Sequence, residues 1–356
     1  MKTTEILLLK AYHGDSFIIK TFDNDGKEFN ILIDGGPPQA FDFELRKQLQ
    51  NFENLQLLVL THIDSDHIGG IIKLINNSLF DTLDIEKYWI NFQNFIPTPA
   101  KSEKISLGEA NTLEKLLIDK QVPLKKFSDL ILKNSVIDLA DGIKAVILSP
   151  TQEAFNRVVD NWITLSKEYL TKLEDLKVSG NSKHSQLERG SLELLAKQEF
   201  KPIKSLAEDP FNAASMAFIL YLPDCKLLLL GDSRCEVIEE SLKSIGYNNE
   251  ENKLKVDYVK VSHHGSRNNT STSLLSLIDC NNFIFLTNGG GARSKHPDRE
   301  TLARILYHSG RNFQHQINLI FNYPLKTIEG KAGKLFTSEE LIDANCKIFE
   351  NTSKLP

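Results

Sequence analysis

The chain has 356 residues, 41% of them hydrophobic and 25% charged, the balance of a folded globular protein rather than a disordered one. A net charge of −5 excludes a polycationic surface, although a local basic groove needs only a few well-placed side chains. Apolar runs of about four to seven residues fall short of the roughly 20 that span a bilayer, and the opening run at 6–9, interrupted by Lys10, is too short for a secretory leader. Four cysteines without CxxC spacing read as free thiols of a reducing compartment, so a cytoplasmic protein is expected.

In chain order, apolar strands are predicted at 5–11 and 16–21, around the tight His13-Gly14-Asp15 connection. A third strand at 29–33 stops at Asp34-Gly35-Gly36-Pro37-Pro38, where glycine and proline enforce a loop. An amphipathic helix at 41–52 and a buried strand at 56–60 follow, then a polar loop at 61–70 and a helix at about 66–76. Strands at 87–91 and 144–148 flank a helix near 107–119.

From 151 to 210 strand signals vanish, and Lys, Glu, Leu and Ser recur at helical spacing, broken by a Ser/Gly/Asn/Lys stretch at 178–185. Sixty residues so divided bury little core of their own, so they read as a helical insertion with a mobile centre inside one domain spanning 1–356. Alternation then resumes with strands at 215–221, 226–230, 256–261, 283–287 and 316–321 and helices at 234–245, 274–279 and 298–308. The last residues, 331–356, read as a packed segment with a frayed end. Hairpin-length links between several strands favour two sheet layers covered by helices over one parallel sheet.

Polar clusters sit where predicted strands end. His62-x-Asp64-x-Asp66-His67 places four metal-competent side chains within six residues between a strand and a helix. A helix N-cap would need only one of those carboxylates. Asp232 follows a second strand and the pair His263-His264 a third, and strand ends are where α/β sites are usually built. Asp232 taken alone reads more readily as a helix N-cap than as a ligand. Asp34 either orients a ligand histidine from behind or only shapes its turn.

The ordered set Asp34-Gly-Gly, His62-x-Asp64-x-Asp66-His67-x-Gly-Gly, Gly231-Asp232 and His263-His264-Gly-Ser resembles the metallo-β-lactamase superfamily. Within it, the set is similar to the hydrolase domain of competence DNA-uptake (ComEC-like) proteins. His13-Gly14-Asp15-Ser16, Asn212-x-x-Ser215 and Lys295-His296-Pro297 add to that similarity. The resemblance covers about 1–150 and 210–325. It implies an α/β fold, a four-layer αββα sandwich with metals at one edge of two facing sheets. The superfamily's commonest pattern has a histidine where Asp64 stands and another before the bridging aspartate, where this chain offers Asn212 and Ser215.

The resemblance implies one or two divalent ions, Zn²⁺ or Mn²⁺. Asp66, His67, Asp232 and one of His263/His264 would hold the better position, with His62 and Asp64 at one richer in oxygen. Strand parity sets His263 with Val259 and Val261, and His264 with Lys260, without deciding which ligates. Asp64 or Asp66 would accept a proton from metal-activated water, and His296 would stabilise the reacting oxygen or protonate the leaving group. Asp15, Asp34, Asn212 and Ser215 would stand behind the ligands, with Arg267 and Arg293-Ser294-Lys295 as candidate phosphate contacts. The expected activity is metal-dependent phosphodiester hydrolysis with DNA as the leading substrate. The alternatives are a small phosphoester or ester hydrolase, and an interaction module that docks a regulatory protein through 151–210.

Overall fold

The computed structural model describes residues 3–91, 108–160, 186–202, 209–248, 251–291 and 295–355. The first sheet contains β1 (Glu5–Leu8), β2 (Phe17–Phe22), β3 (Glu28–Ile33), β4 (Asn54–Leu60) and β5 (Asp84–Ile90). The second contains β6 (Val136–Ala140), β7 (Ile143–Ser149), β8 (Ala217–Tyr221), β9 (Lys226–Leu229), β11 (Tyr258–Lys260), β13 (Asn282–Phe285), β14 (Ile317–Phe321) and β15 (Cys346–Phe349). With β16 (Lys354–Leu355), the orders are β16-β1-β2-β3-β4-β5 and β15-β14-β13-β11-β9-β8-β7-β6. A small parallel pair joins β10 (Leu254–Lys255) to β12 (Ile278–Asp279).

Period-two alternation builds the layers. In β4, Leu57 and Val59 enter the core between the sheets, where they join Phe218, Leu229 and Ile284 of the second sheet. Leu58 and Leu60 face the other way, onto Phe41, Ile68, Ile71 and Leu113 of covering helices. A third cluster packs Val259, Phe285 and Leu319 under Ile238, Leu302 and Leu306. Helices, sheet, sheet and helices therefore stack in four layers. β3 and β4 run parallel, as do β9, β11 and β13, so each set delivers its carboxyl ends to one sheet edge.

Several boundaries differ from expectation. The helix expected at 41–52 begins at Pro38, runs through a π-helical turn at Phe41–Leu45 and ends at Leu49. The helix expected at 274–279 starts at Thr272, because the Ser271 hydroxyl caps the Leu274 N–H (3.0 Å), and ends at Ser276 before β12. The C-terminal stretch is not frayed: β15 pairs with β14 in one sheet and β16 with β1 in the other. Of the 151–210 segment, helices are seen at Gln152–Asp160 and Leu192–Ala196, with a single turn at Gln186–Arg189. Its expected mobile centre lies outside the described residues. Among the described residues no helix is long and apolar enough to cross a membrane.

Candidate metal centre

β4 hands the chain to an extended stretch ending at Asp64, which occupies the N-cap position of the Ser65–Ile75 helix. Its carboxylate makes no capping hydrogen bond, so it stays free for another role. Asp66 and His67 follow in the first turn, and Gly70 lets that turn reach the Asp34 loop. A Cβ at Gly70 would strike the Gly35 carbonyl, and the Gly70 N–H donates to Gly36 O at 2.8 Å. Asp232 lies two residues beyond Leu230 and before the Cys235–Ser244 helix, whose N-cap is Arg234. Asp232 is thus no helix cap.

The loops converge on one carboxylate oxygen. Asp232 Oδ2 lies 3.5 Å from His67 Nε2, 3.7 Å from His264 Nε2, 3.8 Å from His263 Nε2 and 4.0 Å from His62 Nε2. Asp66 Oδ2 is 3.4 Å from His264 Nε2, and Asp64 Oδ2 is 3.7 Å from His62 Nε2. Most of these separations exceed hydrogen-bond length. They approach the roughly 3.3 Å between two ligands of a tetrahedral ion with bonds of about 2.0–2.1 Å. The buried Nε2 atoms of His62, His67 and His264 have no hydrogen-bond partner. Buried donors and acceptors are almost always paired, so three orphaned nitrogens around a shared carboxylate fit a divalent cation. The sets Asp66/His67/His264 and His62/His67/Asp232 each bring one ligand atom per residue within 4.8 Å of one another.

A second layer orients these rings through their other nitrogen. His67 Nδ1 is 2.8 Å from Asp34 Oδ2, and Asp34 also accepts the Thr61 N–H (2.8 Å) and hydroxyl (2.7 Å). Asp34 therefore backs a histidine as well as shaping its turn. His264 Nδ1 is 3.0 Å from Leu286 O and 3.2 Å from Asp15 Oδ1. Ser215 Oγ accepts the Asp232 N–H at 3.0 Å and lies 3.4 Å from His62 Nδ1. Asn212 is buried, with its Oδ1 unpaired.

The electrostatics follow from crowding anions into a dry edge. Burial alone would lower the affinity of His264 for a proton, but Asp232 and Asp15 overcome it and push its pKa up to about 10. His67 is raised likewise, against burial, by Asp232 and Asp34. Asp66 opposes burial through His264 and His67 and is held well below the usual carboxylate range. Burial dominates at His263, which falls to about 4. A field that binds extra protons on Nε2 atoms is one a cation would satisfy by displacing them.

Parity does not extend past β11. Residues 262–265 form a tight turn in which His263 and His264 both take left-handed backbone, φ 48° and 52°. His264 points inward, locked by Leu286 and Asp15, while His263 is the more exposed and packs edge-on against His296, ring centroids 5.3 Å apart. His296 Nδ1 in turn meets Asp298 Oδ2 at 3.1 Å. The Arg267 guanidinium is more than half exposed and lies 3.6 Å from Glu300. Lys295 is half-buried, whereas Arg293 and Ser294 lie outside the described residues.

Two residues at the site escaped sequence reasoning. Lys260 is buried beneath the centre, ion-paired with Asp15, 3.7 Å from Asp232 Oδ1 and donating to Gly231 O at 3.0 Å. A lone lysine between valines in a buried strand was the available signal. Asp209 has a buried, unpaired Oδ2, and burial followed by the charge of Asp64 pushes its pKa up to about 6. Nothing in its local sequence marks it.

Residues 10–129 match the metallo-β-lactamase superfamily, a stretch that includes Asp34 and the His62–His67 loop. The fold is that of the metallo-β-lactamase superfamily. The chain is similar to the metallo-β-lactamase fold protein YhfI from Bacillus subtilis, at 9% identity over 100% of both chains with TM-score 0.40. It is also similar to Zn²⁺-bound PqqB from Methylobacterium extorquens, at 9% identity over 99% of both chains with TM-score 0.38. A diphosphatase from the PhnP family is similar at 10% identity over 80% of this chain and 85% of that one, TM-score 0.35. No curated protein matches the sequence. In this metallo-β-lactamase fold the histidine and aspartate clusters fit a metal-dependent hydrolase.

Proposed function

We propose that the protein is a metal-dependent phosphodiesterase acting on DNA. The observation that carries the hydrolase reading is the convergence of four imidazole Nε2 atoms on Asp232 Oδ2, three of them buried without a hydrogen-bond partner. His67, His264, Asp66 and Asp232 would hold one Zn²⁺ or Mn²⁺, and His62, Asp64 and Asp232 a second, more oxygen-rich position. A divalent ion there would lower the pKa of a coordinated water towards neutrality and offset negative charge on a phosphoryl oxygen.

The chain's own residues supply the rest. Asp66 is clamped as an anion between His264 and His67, which suits a ligand better than a base. Asp64, uncapped and partly exposed beside His62, is the better-placed proton acceptor. His296, with Nδ1 on Asp298, has Nε2 left to donate to a leaving oxygen or to steady the phosphoryl group. Arg267 and Lys295 border the same loops as cations for a phosphate chain. DNA as substrate rests on the similarity of the motif set to the competence DNA-uptake (ComEC-like) hydrolase domain.

The test is cleavage of single- and double-stranded DNA by purified protein with Mn²⁺ or Zn²⁺, beside bis(p-nitrophenyl) phosphate and an Asp232→Asn control. DNA cleavage abolished in the control supports the proposal. Hydrolysis of the small diester without DNA cleavage replaces DNA by a small phosphoester, and wild-type activity in the control would mean the centre is misassigned.

A further inference from the structure

Among the described residues, the 151–210 segment grips a loop of the site through Gln186 and Arg189. Gln186 is 2% exposed, and its amide is fully engaged. Nε2 donates to the carbonyls of Pro297 (3.2 Å) and Ala332 (2.5 Å), and Oε1 accepts the Arg299 N–H (2.9 Å). Arg189 Nη1 donates to Asp298 Oδ1 at 3.3 Å and to Glu300 Oε2 at 3.1 Å. The gripped stretch directly continues His296.

Asp298 carries the contact inward. Its Oδ2 accepts from the Arg267 backbone N–H at 3.0 Å and meets His296 Nδ1 at 3.1 Å, and its own N–H donates to Gly265 O at 3.0 Å. One residue thus joins the His263-His264-Gly265 turn through its backbone N–H, and His296, Arg189 and the Arg267 N–H through its carboxylate. A half-exposed arginine pair contributes little energy by itself. A buried, fully satisfied amide and a carboxylate shared among several donors do specify position.

We infer that Gln186 and Arg189 are positioning residues for His296. They hold 297–300 so that Asp298 turns the free His296 Nε2 towards the metal centre, which makes the geometry of His296 depend on the 151–210 segment. Only the kinetic arm of the test rests on the proposed hydrolysis.

The experiment uses the full chain loaded with Zn²⁺ and the variants Gln186→Ala, Arg189→Ala and Arg189→Lys. Ring-selective ¹H–¹³C NMR resolves the nine histidines, with His296 assigned by its loss in His296→Ala. The His296 signal is expected to shift or broaden in both alanine variants and to return in Arg189→Lys, with thermal midpoints close to wild type for the arginine pair. With bis(p-nitrophenyl) phosphate, kcat should fall about 10- to 100-fold, since small misplacements of a reacting group cost that much. No further loss is expected when either alanine is added to His296→Ala. A wild-type His296 signal in both alanine variants, or losses that multiply in the His296→Ala background, overturns the inference. If Gln186→Ala fails to fold, the two Arg189 variants decide. Absence of turnover in the wild type counts against the hydrolase proposal alone, and the NMR result still decides this one.

Discussion

Replacing Asp34 by asparagine removes one charge and changes no shape, and its consequence can be traced atom by atom. The carboxylate is fully buried and accepts from the Thr61 N–H, the Thr61 hydroxyl and His67 Nδ1. An asparagine keeps one acceptor oxygen. If that oxygen stays on the Thr61 N–H, the new amide donors face the hydroxyl and His67 Nδ1. The imidazole then meets donor with donor, or else moves its proton to Nε2, the nitrogen that faces Asp232. Either result opposes a cation at Nε2. Loss of such an outer partner typically weakens metal binding about 10- to 100-fold, or about 1.4–2.7 kcal/mol. Competition for Zn²⁺ against a fluorescent chelator measures this directly, with circular dichroism to verify folding. A folded Asp34→Asn protein that binds Zn²⁺ within about twofold of wild type would falsify the assignment of His67 Nε2 as a ligand.

Metal uptake at pH 7.5 should expel protons, from His264, whose pKa Asp232 and Asp15 push up to about 10 against burial, and from His67, which Asp232 and Asp34 raise likewise. Calorimetry in buffers of different ionisation enthalpy counts them, and zero release would sink the electrostatic account. The folded pKa of His264 is about 10 against an ordinary 6.5, so its protonation stabilises the metal-free fold fully below about 6.5. That contribution is lost as pH rises through about 10, so thermal melts of chelator-treated protein should fall over this range and those of Zn²⁺-loaded protein should fall less. Free Zn²⁺ at about 100 times its Kd adds about 2.7 kcal/mol. At about 2.1 cal/mol/K per residue, that raises Tm by about 3–4 °C for 356 residues; an unchanged Tm argues against a resident ion. Gly70→Ala drives a Cβ into the Gly35 carbonyl, so a loss of about 1–3 kcal/mol is expected in urea melts, and a neutral result would mean the two loops are not in contact.

The candidate ligands were legible because metal-competent side chains are dense and local at His62–His67. The two sheet layers were legible because several consecutive strands are joined by hairpin-length links, and β2 with β3 and β8 with β9 do pair antiparallel. What escaped was non-local. His263 and His264 could not be ranked by parity, since both leave the strand in left-handed backbone, and the difference between them is made by Leu286 and Asp15 from other elements. Lys260 acquires its meaning only when β11 lies over Asp15. Asp209 owes its raised proton affinity to burial and to the charge of Asp64, which only the fold brings near it. The late strands were missed because two- to four-residue segments carry too little periodicity to register.

The pairing of β16 with β1 bears on how the protein is made. Ile6 meets Leu355, about as distant a contact as this chain allows, and the loop it closes costs entropy before any pairing rewards it. Until residues near 350 leave the ribosome, β1 offers an open hydrogen-bonding edge to any neighbouring chain, and β14 does the same until β15 arrives. The growing chain therefore carries a ready template for misassociation on each sheet until β15 and β16 are made, and these strands of four and two residues then leave only short edges in place of β14 and β1.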